Sequence, residues 1–283
     1  MDQLCATIPR RAAAVGTASA ILLVAVYLIA VWTHAGQRLE DAVLRAAALA
    51  TDGWQPTAAT RLLGTVTTAS LLGAAILVLT IAMLRRQAYL GFLAVGLIAA
   101  SVVTTQILQA VVSRPLLLEA GRRREDQSFP SGHTAVAMSV MIALLMVVPQ
   151  RFRWPAMILI GPWSIGMGVA TVTAGWHRPS DTVGSDLIVL AYACLALVLL
   201  ARQGAVRQTE SRTPQTVLVG LSSAAMLVAV GIGVFAAGRS GFALSRAMVF
   251  GAAVGVALTM LALLRGVELG RAEGQPPPLQ PGP

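Results

Sequence analysis

The chain has 283 residues, of which 56% are hydrophobic and only 12% charged, about half the charged fraction of a soluble globular domain. All 21 basic residues are arginine against 12 acids, a formal net charge of +9. Apolar residues gathered into bilayer-length runs exclude a soluble enzyme, and no basic face interleaved with aromatics is present for nucleic acid.

Crossing a bilayer takes about 20 apolar residues. Candidate spans fall at 12–32, 61–84, 88–112, 132–149, 155–175, 182–201, 215–237 and 243–264. The first follows Arg10 and Arg11, is longer than a signal-peptide core and is followed by no small-residue cleavage site, so it reads as a retained span. Segment 33–60, with Glu40, Asp41 and Asp52, reads as an outer loop carrying a short amphipathic helix. Glycines in the last two spans, such as Gly251 and Gly255, permit close helix packing. The expected fold is an all-α polytopic transmembrane helical bundle. Residues 1–202 form a six-span core, 203–266 a two-span C-terminal extension, and 267–283 a disordered proline-rich tail.

With the N-terminus inside, eleven arginines flank the inner ends of the spans and ten the outer ends. Five of those ten (Arg114, Arg122, Arg123, Arg124 and Arg178) lie in two loops that carry the candidate site. Setting them aside leaves eleven against five, which puts both termini in the cytoplasm and the site outside. The two cysteines, Cys5 and Cys194, are placed for neither a disulfide nor a metal.

The chemistry gathers at span ends. Gln127-Ser-Phe-Pro-Ser-Gly-His133 leads into the fourth span. Pro130 suits the first turn of a helix, and Ser131 and Gly132 then offer free backbone N–H groups to an anion. His133 sits on that rim, able to exchange a proton near neutrality. Gly175-Trp-His177-Arg178-Pro-Ser-Asp181 joins the fifth and sixth spans. Asp181, four residues after His177, is placed to orient the imidazole and sharpen its other nitrogen as a nucleophile. Arg114, at the end of the third span, is able to fork onto two phosphate oxygens. The expected topology puts all three segments on one face. There Arg114 and the Ser131 and Gly132 amides hold phosphate, His177 attacks phosphorus and His133 protonates the leaving oxygen. Water then hydrolyses the phosphohistidine, a scheme of positioning and charge that needs neither metal nor cofactor.

These residues resemble the signature motifs of the type 2 phosphatidic acid phosphatase superfamily, which also contains bacterial acid phosphatases and vanadium haloperoxidases. The family pattern is Lys-x6-Arg-Pro, then Pro-Ser-Gly-His, then Ser-Arg-x5-His-x3-Asp. Here Arg114-Pro115, the complete Pro130-Ser131-Gly132-His133, and His177 with Asp181 match it. The resemblance implies a six-helix phosphatase core and a lipid phosphate or diphosphate as substrate, of phosphatidate, phosphatidylglycerol phosphate or polyprenyl type, drawn from the surrounding membrane lipids. It names no single lipid and no oligomeric state, and leaves transfer to an alcohol open beside hydrolysis.

Two cations of the pattern are missing. Ile107 stands at the lysine, and Ala170-Thr171 at the Ser-Arg pair. Arg178, the run Arg122–Arg124 with Arg123 at its centre, and the Thr171 hydroxyl are the candidate replacements at the phosphate. The alternative is a non-catalytic relative that binds phospholipid head groups; a translocator on the same scaffold has little support, since the inner halves of the spans lack ionisable residues.

Overall fold

Apolar surroundings leave a backbone no outside hydrogen-bond partners, so runs rich in Ala, Leu, Val and Ile close their bonds internally as helices. The computed structural model of the chain describes residues 7–50, 58–115, 117–118, 128–208 and 241–270. Its α-helices, in chain order, are α1 (Thr7–Trp32), α2 (His34–Ala50), α3 (Ala58–Leu63), α4 (Thr68–Leu84), α5 (Ala88–Val111), α6 (Gly132–Val147), α7 (Arg153–Thr173), α8 (Pro179–Arg202) and α9 (Gly241–Leu264). Two short strands, β1 (Val206–Gln208) and β2 (Val267–Leu269), pair antiparallel. Among the described residues, five helices are long and apolar enough to cross a membrane: α1, α5, α7 with its leading turn, α8 and α9. The chain is an all-α polytopic bundle.

Three expectations about the elements are corrected. The run 61–84 is not one helix. α3 stops at Leu63, and Thr67 opens α4 with a reciprocal cap: the Ser70 N–H donates to Thr67 Oγ1 at 3.1 Å and the Thr67 N–H to Ser70 Oγ at 2.8 Å. That capping box satisfies donors that a continuous helix would have bonded, so the helix restarts there. The amphipathic helix expected within 33–60 is present but is not short, since α2 runs for 17 residues; residues 51–57 lie outside the described residues. The tail does not begin at 267, because Val267–Leu269 pairs with Val206–Gln208; residues 271–283 lie outside the described residues. So does the expected span 215–237.

α6 is the centre of the bundle, packed by α5, α7 and α8, while α1 lies along α8. Its 16 residues make about 24 Å of helix, and Met138, Met141, Ile142 and Leu145 are fully buried. Ile21 and Ile29 on α1, Ile76 on α4 and Leu159 on α7 point outward, the surface a bilayer covers. At one end of the bundle the Arg153 guanidinium is buried and donates to the carbonyls of Leu145, Leu264 and Val267. Beside it Arg85 pairs with Glu268, whose second oxygen accepts from the Gln150 N–H at 3.1 Å. α7 begins at this end and finishes at the other, where the candidate site lies.

Candidate active site

The turn that carries His177 is set by how α7 stops. Gly175 has φ 65°, a left-handed conformation that glycine adopts without a Cβ penalty. The Gly175 N–H donates to the Val172 carbonyl at 3.1 Å and the Trp176 N–H to the Thr171 carbonyl at 3.0 Å, the pair of bonds that defines a Schellman stop. α8 then opens with Pro179 as its first residue, and Asp181 reaches back so that its Oδ2 accepts the Arg178 N–H at 2.9 Å.

That fold-back brings Asp181 Oδ2 to 3.3 Å from His177 Nδ1, and the Ser128 carbonyl lies 3.1 Å from the same nitrogen. Both neighbours are acceptors only. In the neutral ring the Nδ1 position therefore carries the proton, and Nε2 keeps its lone pair.

Ser128 belongs to the segment leading into α6. Its Phe129–Pro130 peptide is cis, and the Pro130 carbonyl accepts from Gln109 Nε2 of α5 at 2.6 Å. Ser131 caps α6: its Oγ accepts from Thr134 Oγ1 at 3.1 Å. Pro130 thus precedes the cap and is not in the first turn. Nor is the Ser131 amide free for an anion, because it donates to the Asp181 carbonyl at 2.9 Å. Ser185 Oγ then bridges the two segments, bonding the Ser131 carbonyl at 2.7 Å and the Asp181 carbonyl at 3.0 Å. Gly132 and His133 follow in the first turn, where N–H groups have no partner four residues back within the helix. His133 is half-buried and meets the Trp176 ring edge-on, centroids 5.5 Å apart.

The arginines are where the structure departs furthest from expectation. Arg114 donates from both terminal nitrogens to Glu40 Oε2, at 3.1 and 3.0 Å, and its Nη2 lies 3.8 Å from Asp181 Oδ1. Arg178 donates to Ser128 Oγ at 3.3 Å and to Asp41 Oδ1 at 3.5 Å. Both side chains are at the site, but each is already engaged by a carboxylate of α2. The Thr171 hydroxyl is not a phosphate ligand in this arrangement: it is fully buried and donates to the Gly168 carbonyl of its own helix at 2.7 Å. What Thr171 supplies instead is the carbonyl that closes the Schellman turn. Ile107 is 53% exposed on the surface of α5. Arg123 lies outside the described residues.

α2 was not expected in the site at all. Gln37 Nε2 donates to the Pro115 carbonyl at 2.6 Å and Gln37 Oε1 accepts the Leu117 N–H at 3.2 Å, while Tyr27 of α1 donates to the Ser113 carbonyl at 2.7 Å. Glu40, one turn on, also accepts the Ser180 N–H on Oε1 at 3.3 Å. Burial pushes the Glu40 carboxyl above its ordinary range; the Arg114 guanidinium opposes this and the nearby Asp181 adds to it. Deeper in α8, Asp186 is buried with no hydrogen bond to either oxygen among the described residues.

Residues 89–207, from α5 to β1, match the model of the PAP2 superfamily. Over this segment the chain is similar to the PAP2 superfamily. No curated protein and no solved structure matches the chain. That superfamily generally comprises phosphatases acting on phosphate esters, which supports phosphoric ester hydrolysis as the class of chemistry. α1 to α4, and with them Glu40 and Asp41, lie outside the matched segment.

Proposed function

We propose that the protein is a metal-independent membrane phosphatase that hydrolyses a lipid phosphate or diphosphate through a phosphohistidine on His177. One observation carries this reading: His177 Nδ1 faces two acceptors, Ser128 O and Asp181 Oδ2, so Nε2 is left unprotonated as the attacking atom. In the proposed reaction Nε2 forms a bond to phosphorus as the bond to the leaving oxygen breaks, and His133 gives that oxygen its proton. Asp181 stabilises the positive charge that develops on the His177 ring. Water then attacks the phosphohistidine, His133 taking its proton, and inorganic phosphate leaves with the histidine restored. The Gly132 and His133 amides and the Arg178 guanidinium supply charge to the equatorial oxygens.

A lipid substrate is favoured because the site opens at the end of an apolar bundle whose flanks carry exposed Ile, Leu and Val. An extracytoplasmic site, with both termini inside, is favoured because Arg85, Arg151, Arg153 and Arg202 gather at the opposite end. The six-span core over 1–202 and the extension over 203–266 are read as one catalytic unit with a packed addition. A second reading, head-group binding without turnover, is favoured by the carboxylates that already engage Arg114 and Arg178.

The experiment is phosphate release by the detergent-purified protein from phosphatidate, phosphatidylglycerol phosphate and polyprenyl phosphates or diphosphates, with EDTA present and His177→Ala alongside. Release that survives EDTA and disappears in the variant supports the phosphatase. No release from any substrate, with phosphatidate vesicles still bound, supports the second reading.

A further inference from the structure

We propose that Glu40 is a positioning residue for His177: it holds the Arg114 guanidinium off Asp181, so that the Asp181 carboxylate stays with the histidine. This rests on the reading of His177 as nucleophile. Arg114 Nη2 is 3.0 Å from Glu40 Oε2 but 3.8 Å from Asp181 Oδ1. The second distance is too long for a hydrogen bond, and Asp181 Oδ1 is buried with no hydrogen bond of its own. A largely buried guanidinium with its first carboxylate removed takes the nearest one left, which here is Asp181. The hydrogen bond at risk is the 3.3 Å contact from Asp181 Oδ2 to His177 Nδ1, long enough to lose the competition.

Glu40 is suited to the task. It is 3% exposed, so water does not screen it. Its second oxygen accepts the Ser180 N–H at 3.3 Å, which ties it to the first turn of α8, the turn that carries Asp181. Among the described residues, the charged and titratable groups around His177 are Asp181 and Arg178 from its own turn, Glu40 and Asp41 from α2, Arg114 beyond α5 and His133 on α6. Among the described residues, Glu40 is the carboxylate that hydrogen-bonds Arg114, while Asp181 Oδ1 lies just beyond hydrogen-bond reach of it. Anchoring and charge control are separable, because Gln37 on the same helix holds the Pro115 and Leu117 backbone through neutral contacts.

The test compares full-length Glu40→Gln, Glu40→Asp and Gln37→Ala proteins in detergent. One readout needs no turnover: the Nδ1–H resonance of His177 in a histidine-labelled ¹H–¹⁵N spectrum, assigned by its loss in His177→Asn. Glu40→Gln is expected to move that resonance upfield and to lower kcat on the order of tenfold with KM nearly unchanged, the mark of lost orientation. Glu40→Asp is expected to recover part of both effects, and it carries the comparison if the glutamine variant does not fold. Gln37→Ala is expected to leave the resonance in place. A resonance unmoved by Glu40→Gln, or moved as far by Gln37→Ala, overturns the proposal. So does unchanged kcat with tighter binding of inorganic phosphate, which would make Glu40 a competitor for the anion. If the wild type releases no phosphate and the resonance still moves, the phosphatase reading fails and the positioning relation stands.

Discussion

Arg178 and Asp41 meet at the rim of the site, Nη2 to Oδ1 at 3.5 Å, with the two side chains 6% and 14% exposed. The contact is long and partly open to water, so it holds less firmly than the doubly bonded Arg114–Glu40 pair. In the proposed reaction the phosphate contacts Arg178, and the Asp41 carboxylate opposes it there. Asp41→Asn is therefore expected to tighten binding of inorganic phosphate by about threefold to tenfold, since one partly exposed charge contact is worth on the order of 1 kcal/mol. Isothermal titration or product inhibition reads this directly. Unchanged or weaker binding would remove Arg178 from the phosphate contacts.

Gly184 supports the site from below. A Cβ built there would stand 2.7 Å from Phe129 Cζ, and Phe129 is a buried ring one residue before Pro130. Gly184→Ala is expected to cost about 1–3 kcal/mol, the usual range for overpacking, seen as a lower thermal midpoint. Turnover should fall with it, because Phe129 carries the Ser128 carbonyl and the Ser131 cap. Full activity and an unchanged midpoint would show that the ring shifts freely.

Ile107 and Thr171 stand where the family pattern has cations, yet neither position offers a charge to the site. Ile107 is 53% exposed and Thr171 fully buried. Ile107→Lys is expected to leave phosphate affinity within about twofold, as outward-facing substitutions usually do. Thr171→Arg forces a guanidinium into a packed helix and is expected to lose several degrees of thermal midpoint. A tenfold gain in affinity from Ile107→Lys would show that the side chain reaches the anion.

How much of this was legible in the sequence differs by residue. Five of the eight expected spans were readable because apolar runs of bilayer length have one solution, and His133, His177 and Asp181 were readable because their spacing at span ends has little structural purpose. The break before Thr67 was also written there, in Thr67 and Ser70 three apart, but the unbroken apolar composition outweighed it. The arrival of α2 was harder to see. Its buried stripe of Gln37, Glu40, Val43 and Ala47 mixes polar and apolar residues, and an acid in an outer segment looks solvated until a buried arginine is known to face it. The Thr171 hydroxyl misled for a related reason: a threonine can bond its own helix or a ligand, and residue type does not choose.

Glu40 also sets a pH dependence of stability. Its carboxyl lies above the model-compound value of 4.5, chiefly because of burial. A group raised in this way holds its proton longer in the folded chain than in the unfolded one. Its contribution is present below the ordinary value and lost as pH rises through the folded one. The thermal midpoint of the wild type relative to Glu40→Gln is therefore expected to fall as pH rises across that window. A relative midpoint that climbs instead would mean that Arg114 outweighs burial.

The central claim is that phosphorus passes through His177. The most direct measurement is an acid-free quench of the full-length protein turning over ³²P-labelled phosphatidate, followed by base-stable, acid-labile phosphate analysis of the protein. The account predicts label on the wild type, none on His177→Ala, and label that persists longer on His133→Ala, where water is activated poorly. Steady phosphate release with no labelled protein, or label that remains on His177→Ala, would contradict it.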